Sequence, residues 1–223
     1  MSEEFNRITS DLAQGRETQQ RQESSTHLRN RVLAKRRSLE KRGSLAKAAE
    51  RQLTKEGLHN LNAALQDDDP SVRLNAAMSA GYLGDSTTVP FLEDLSAGGN
   101  PDANSRFAAI ISLGDIGGPR GAGVLSRLAS DPEEMADVRF AALTALEELV
   151  AKRITSGPDR RFDPPENSST ASPRAAMDEP IEVSERRVAI VRDLRSIESD
   201  TSADDMLKLK AADVRRYLDS GVA

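Results

Sequence analysis

Arginine returns at a fixed interval in this chain: Arg73, Arg106 and Arg139 stand 33 residues apart. The surrounding pattern returns with it. Asn75-Ala76-Ala77, Ala108-Ala109-Ile110 and Ala141-Ala142-Leu143 follow at offsets two to four. Ala80, Leu113 and Leu146 sit at offset seven, and Leu83, Ile116 and Leu149 at offset ten. Gly84 and Gly117 close the first two units at offset eleven. Another apolar stripe precedes each arginine: Leu58, Leu61 and Leu65; Phe91, Leu92 and Leu95; Val124, Leu125 and Leu128. Two such stripes per period make each unit a pair of short helices. One pair cannot cover its own apolar face, so the pairs must stack. The expected fold class is all-α: a short α-solenoid of about three helix pairs, with flanking N-terminal helices and a C-terminal helical hairpin.

Local chemistry agrees with that division. Alanine at the inner positions lets helices approach closely. Glycine just past the last apolar residue suits a helix C-cap. Pro70, Pro101 and Pro132 precede the arginine helices, where a missing N–H costs least. The chain has only five Phe, two Tyr and no Trp. Its core must therefore be built from Ala, Leu, Val and Ile.

Five zones are expected. Residues 1–26 are a polar tail whose Phe5, Ile8 and Leu12 mark one short amphipathic helix. Residues 27–54 form a basic capping helix, with Leu28, Val32 and Leu39 on one face. Residues 55–152 hold the repeats. Residues 153–180 are a linker containing Pro158, Pro164, Pro165, Pro173 and Pro180. Residues 181–223 form a helical hairpin. Val183, Ile190, Val191, Leu194 and Ile197 share one face of its first helix, and Leu207, Val214, Tyr217 and Leu218 one face of its second. Ser202 followed by Asp205 resembles a capping box and marks the second start.

Asp67-Asp68-Asp69-Pro70-Ser71-Val72-Arg73, followed by Ala76-Ala77 and Leu83-Gly84-Asp85, resembles a HEAT repeat, most closely the HEAT-like repeats of the phycobilisome lyases. Asp131-Pro132 with Val138-Arg139-Phe140-Ala141-Ala142 is similar. The middle unit departs, with Ser105 in place of the valine and Asp102 standing in for the missing aspartate. The resemblance covers residues 56–152. It implies that the recurring Asp and Arg form a ladder between neighbouring repeats, which gives Arg73, Arg106 and Arg139 a structural role. It also implies that the arginine helices line the concave side of a superhelix. The resemblance is informative on fold and nearly silent on function.

Offsets one, five and nine of those helices ordinarily face solvent and carry charge. Here they read Leu74, Met78 and Tyr82; Phe107, Ile111 and Asp115; Phe140, Thr144 and Glu148. Leu74, Met78, Tyr82, Phe107, Ile111 and Phe140 together exceed what a monomer leaves bare, so something covers them. An amphipathic helix in a groove is the natural guest. It comes either from a partner protein or second copy, or in cis from the basic helix, the Phe5–Ile8–Leu12 helix or the C-terminal hairpin.

Arg29, Arg31, Lys35, Arg36, Arg37, Lys41, Arg42 and Lys47 crowd one stretch against Glu40 alone. Such a segment suits phosphates, anionic lipid or an acidic partner. It equally suits a solvated helix closing the end of the repeats. No aromatic residue interleaves for base stacking, and the whole chain carries a net charge of −5.

Catalytic chemistry is not visible. Without cysteine there is no disulfide, zinc-thiolate site or thiol nucleophile. His27 and His59 are too few for most histidine metal sites. No Walker loop, dinucleotide fingerprint or zinc-protease motif occurs. Asp67-Asp68-Asp69 lacks the spaced ligands of a calcium loop and reads as a helix-to-helix turn. No secretory signal or membrane span is expected, which leaves the cytoplasm as default location. The expectation is a non-enzymatic, cofactor-free interaction scaffold or adaptor that binds a partner helix, alone, as a homo-oligomer or within a large assembly. Two alternatives stay open: a nucleic-acid-associated protein acting through residues 29–47, and a subunit similar to the phycobilin lyases.

Overall fold

The computed structural model describes residues 2–15, 17–41, 54–97, 102–156 and 185–220. The described residues are all-α. They form ten α-helices: α1 Ser2–Gln14, α2 Thr18–Lys41, α3 Lys55–Ala64, α4 Pro70–Leu83, α5 Val89–Ser96, α6 Ala103–Ile116, α7 Gly118–Ser130, α8 Ala136–Ser156, α9 Glu185–Ser199 and α10 Asp205–Ser220. A 3₁₀ turn, Ser86–Thr88, leads into α5. The chain divides into two units, Met1–Ile116 and Gly117–Ala223.

The first unit stacks three helix pairs. Helix α1 packs on α2 and α3, α2 on α4, α4 on α6, and α5 on α6. Leu61, Leu65, Leu92 and Ile110 are at most 1% exposed. Burying each such side chain stabilises by about 1.5–3 kcal/mol relative to exposure. Ala76, Ala77, Ala80 and Ala109 are fully buried where the second helices of neighbouring pairs meet. The helix ends are set by local chemistry. The Asp69 carboxylate accepts from Ser71 N at 2.9 Å and Val72 N at 3.1 Å, with Pro70 at the first helical position of α4. Gly84 ends α4 at φ +69°, a left-handed conformation that a side chain would strain.

The helices expected to flank the repeats form a pair of their own. Helix α2 runs unbroken through the boundary expected at residue 26. Its first half is too polar to advertise a buried face. Ser25 is nonetheless fully buried, because hydrogen bonds rather than apolar contacts satisfy it. Phe5, Ile8 and Leu12 of α1, and Leu28 and Val32 of α2, are buried as expected. The Leu39 side chain, Lys47, Pro101, Val183 and the proline-rich 157–184 stretch lie outside the described residues.

In the second unit α7 pairs with α8 and α9 with α10, while α9 packs on α7 and α10 on α8. Ile190, Leu194, Ile197, Leu207, Val214 and Leu218 are buried. Two details correct the expectation. Tyr217 is 42% exposed. The buried stripe of α10 runs through Leu207, Ala211, Val214 and Leu218, and Tyr217 lies about 100° around the helix from Leu218. The cap of α10 is Asp204, whose carboxylate accepts from Met206 N at 2.6 Å, and not Ser202.

Ser202 instead donates to Asp200, through Oγ at 2.6 Å and N at 2.9 Å. Those bonds, with Arg139 adding to them, hold the Asp200 carboxyl below its ordinary value of 3.8. A carboxylate lowered on folding stabilises the fold above its unfolded value and loses that contribution as pH falls through the folded one. The urea midpoint of the second unit should therefore drop on acidification below pH 3.8. Asp200→Asn should flatten that dependence, and an identical slope in both proteins would contradict the assignment.

Candidate partner-binding cleft

Counted from the helix starts, the second helix of every pair shares a register, its fourth residue making the first helical hydrogen bond. Arg21 N donates to Glu17 O, Arg73 N to Asp69 O, Arg106 N to Asp102 O, Arg139 N to Met135 O and Lys208 N to Asp204 O. Arg21 and Lys208 thus occupy the position of the three repeating arginines. The 33-residue spacing missed both, because Arg21 stands 52 residues before Arg73 and Lys208 stands 69 after Arg139.

In this register the exposed face is comparable between helices. On α4 and α6 it presents Leu74, Met78, Tyr82, Phe107, Ile111 and Asp115. With Asn104, Ala108 and Ser112 they line an open cleft of about 250 Å³ within the first unit. Ile111 is 60% exposed, and Leu74, Met78, Tyr82 and Phe107 are half-buried. The side chains therefore form the walls of a cleft and are not sealed between the helices.

The cleft exists because α4 and α6 approach unusually closely beneath it. At Gly81 a Cβ atom would stand 2.9 Å from Ser112 Cα. Ser112 Oγ donates across the contact to Ala77 O at 2.8 Å. On α2 the same face reads Gln22, Thr26 and Asn30, so apolar character stops at the α4 edge.

The described N-terminal helices do not cover the cleft in cis. Phe5, Ile8 and Leu12, with Leu28 and Val32, are used up inside the α1–α2–α3–α4 packing. The C-terminal hairpin buries Ile190, Leu194, Ile197, Leu207, Val214 and Leu218 within the second unit. Phe140 belongs to the second unit, 39% exposed, with Lys210 Nζ 5.8 Å above its ring.

The repeating arginines are engaged within their units. Arg106 Nε donates to Ser96 O at 3.2 Å and Arg139 Nε to Ala129 O at 2.9 Å, each satisfying a carbonyl near the end of its pair's first helix. Arg73 Nη1 donates to Asp67 O at 2.8 Å and Asp68 O at 3.0 Å. Each also reaches forward where its unit continues. Arg21 pairs with Asp67 at 2.8 Å, Arg73 with Asp102 at 3.8 Å, and Arg139 with Asp200 at 3.5 Å. Ser105, the departure in the middle repeat, explains itself here. Its hydroxyl bonds Asp102 and reaches Pro70 O at 3.1 Å, which fixes the carboxylate facing Arg73.

Three of the basic residues also have partners inside the fold. Arg29 Nη1 donates to Asn75 Oδ1 at 2.8 Å, Arg31 pairs with Glu4, and Lys35 Nζ lies 5.4 Å from the Phe5 ring centroid. Arg37 is exposed. The side chains of Arg36, Lys41 and Arg42 lie outside the described residues. Among the described residues no helix is long and apolar enough to cross a membrane.

Stacked helix pairs, tied by an arginine in the second helix, define the class as an α-helical repeat protein. The family model of HEAT repeats matches residues 58–147, from the first turn of α3 into α8, and supports a HEAT-repeat family. A crystal structure of an engineered protein from a structural genomics consortium is similar, with 15% identity and a TM-score of 0.47 over 98% of this chain and 97% of that one. No curated protein matches the chain.

Proposed function

We propose that this protein is a non-enzymatic scaffold whose α4–α6 cleft binds an amphipathic helix of a partner protein. The observation that carries the reading is the cleft: five large apolar side chains at positions that ordinarily carry charge, open to solvent. Its length along two parallel-register helices suits a guest with anchors at i, i+3 or i+4, and i+7. HEAT repeats generally mediate protein–protein interaction, which is consistent with it. The likeness of residues 67–85 to phycobilisome-lyase repeats concerns the repeat type. A lining of aliphatic and aromatic groups with Asn104, Ser112 and Asp115 favours a protein surface over chromophore chemistry. The engagement of Arg29, Arg31 and Lys35 within the fold weighs against a phosphate-binding face.

Phe107→Glu combined with Ile111→Glu tests it. Affinity purification of the full chain from its source cells should recover a partner that the variant loses by about tenfold or more, as for a hot spot at an interface centre. The helical circular dichroism signal should be unchanged. Equal recovery by the variant overturns the reading, and so does loss of the helical signal, which would make these residues part of the folding core.

A further inference from the structure

The second unit carries another exposed face, different in chemistry from the cleft. In the common register the positions of α10 equivalent to Leu74 and Tyr82 are Leu209 and Tyr217. Met206, Leu209, Asp213 and Tyr217 recur every three or four residues, so they form one stripe. Met206 is 62%, Leu209 61% and Tyr217 42% exposed. Phe140 takes the equivalent place on α8, which packs beside α10. Lys210 bridges the two helices, over the Phe140 ring and paired with Glu147. Four large apolar groups at solvent, on two packed helices, are more than scattered surface hydrophobics.

Charge distinguishes this face. Residues 131–156 and 200–220, which hold α8, α10 and the turns before them, contain eleven Asp and Glu against seven Arg and Lys. Four of the seven are committed: Arg139 is buried against Ala129 O and Asp200, Lys210 pairs with Glu147, Arg215 with Glu198, and Arg216 with Asp213. Asp137 sits exposed on α8, one turn before Phe140. Apolar anchors beside the exposed Asp137, Asp204 and Asp205 match a guest with the reverse pattern.

We propose that the exposed face of α8 and α10 docks a basic amphipathic helix of a partner protein, with apolar side chains on Phe140, Met206, Leu209 and Tyr217 and Lys or Arg toward the acids. The methionine adapts its shape to the guest. This face is separate from the α4–α6 cleft, and its occupancy does not depend on the function proposed above.

A displayed random library of peptides about 20 residues long, selected on the immobilised full chain, tests it. Enriched sequences should carry apolar residues at i, i+3 or i+4, and i+7, with Lys or Arg between them. Leu209→Glu with Tyr217→Glu, both exposed and outside the core, should weaken a selected peptide by about tenfold or more. The Phe107→Glu, Ile111→Glu variant should bind it unchanged, which separates the two surfaces. Affinity should fall steeply between about 0.05 and about 0.5 M salt. The proposal is overturned if no peptide enriches on this face, or if those that do lack excess Lys and Arg. It is equally overturned if the full chain sediments as a dimer that Leu209→Glu with Tyr217→Glu dissociates, because the occupant is then a second copy.

Discussion

Gly81→Leu should destabilise the first unit by about 3 kcal/mol, and Gly81→Ala by about half as much. Two effects oppose each other at this site. Alanine favours a helix over glycine by about 1 kcal/mol. Against that, a Cβ at residue 81 would lie 2.9 Å from both Cα and Cβ of Ser112, and 2.7 Å from its Oγ. The Oγ is held by its bond to Ala77 O at 2.8 Å, and the Cα is backbone. Neither yields unless α4 and α6 move apart. Separation would strip contacts along a helix pair whose inner positions, Ala76, Ala77 and Ala109, leave no slack. Packing therefore outweighs propensity. Urea unfolding followed by circular dichroism reads the result. Adding Ser112→Gly should recover part of the loss, since it removes the Cβ and Oγ but leaves the Cα in place. A higher midpoint for Gly81→Ala would show that the close approach is absent. The same substitution spreads the walls of the cleft, so partner binding should weaken in parallel.

The repeats were legible because they obey one rule three times. A fixed interval, Asp69 and Pro70 before α4 and Gly84 after it are local signals, and the structure keeps each of them. The cleft was legible for the same reason: once the register is known, Leu74 and Phe107 stand at positions that repeat. Phe140 shares the register but sits in the other unit, beneath Lys210. Spacing along the chain records which face of a helix a residue takes and not which neighbour it meets.

The first pair was harder to see, for a different reason. Its second helix carries Ser25 where α4 carries Ala77 and α6 carries Ile110, four residues after the arginine in each. A polar residue at a buried position breaks the hydrophobic periodicity on which the reading depends. Its partners lie about 50 residues away, as Asn75 does from Ser25, and no local pattern announces such a bond. Tyr217 and Ser202 failed more simply: one residue of slippage on a helix moves a side chain off the buried stripe, and the cap of α10 lies two residues further on, at Asp204.

That polar seam is itself testable at Asn75. The side chain is 5% exposed. Its Nδ2 donates to Ser25 Oγ and Thr26 Oγ1, both at 3.1 Å, and its Oδ1 accepts from Arg29 Nη1 at 2.8 Å. Asn75→Ala removes all three bonds between α2 and α4, one of them to a charged donor. Bonds of this kind contribute about 0.5–1.5 kcal/mol each, more when charged. Alanine's better helix propensity returns about 0.5 kcal/mol. The expected net loss is about 2–3 kcal/mol, since Thr26 and Arg29 are half-buried and recover part of their solvation. Asn75→Asp should behave differently. A carboxylate keeps the Arg29 bond, and the Thr26 hydroxyl can turn to donate, while Ser25 must exchange its bond to Gln22 O for one to the carboxylate. It should stay within about 1 kcal/mol of the natural protein. Amide hydrogen exchange locates the effect. Helices α1 and α2 should lose protection in Asn75→Ala before α5 and α6 do, because the seam joins the first pair to the rest of its unit. Equal stability of the alanine variant and the natural protein would mean that the apolar contacts of Leu28 and Val32 hold the first pair without the polar seam.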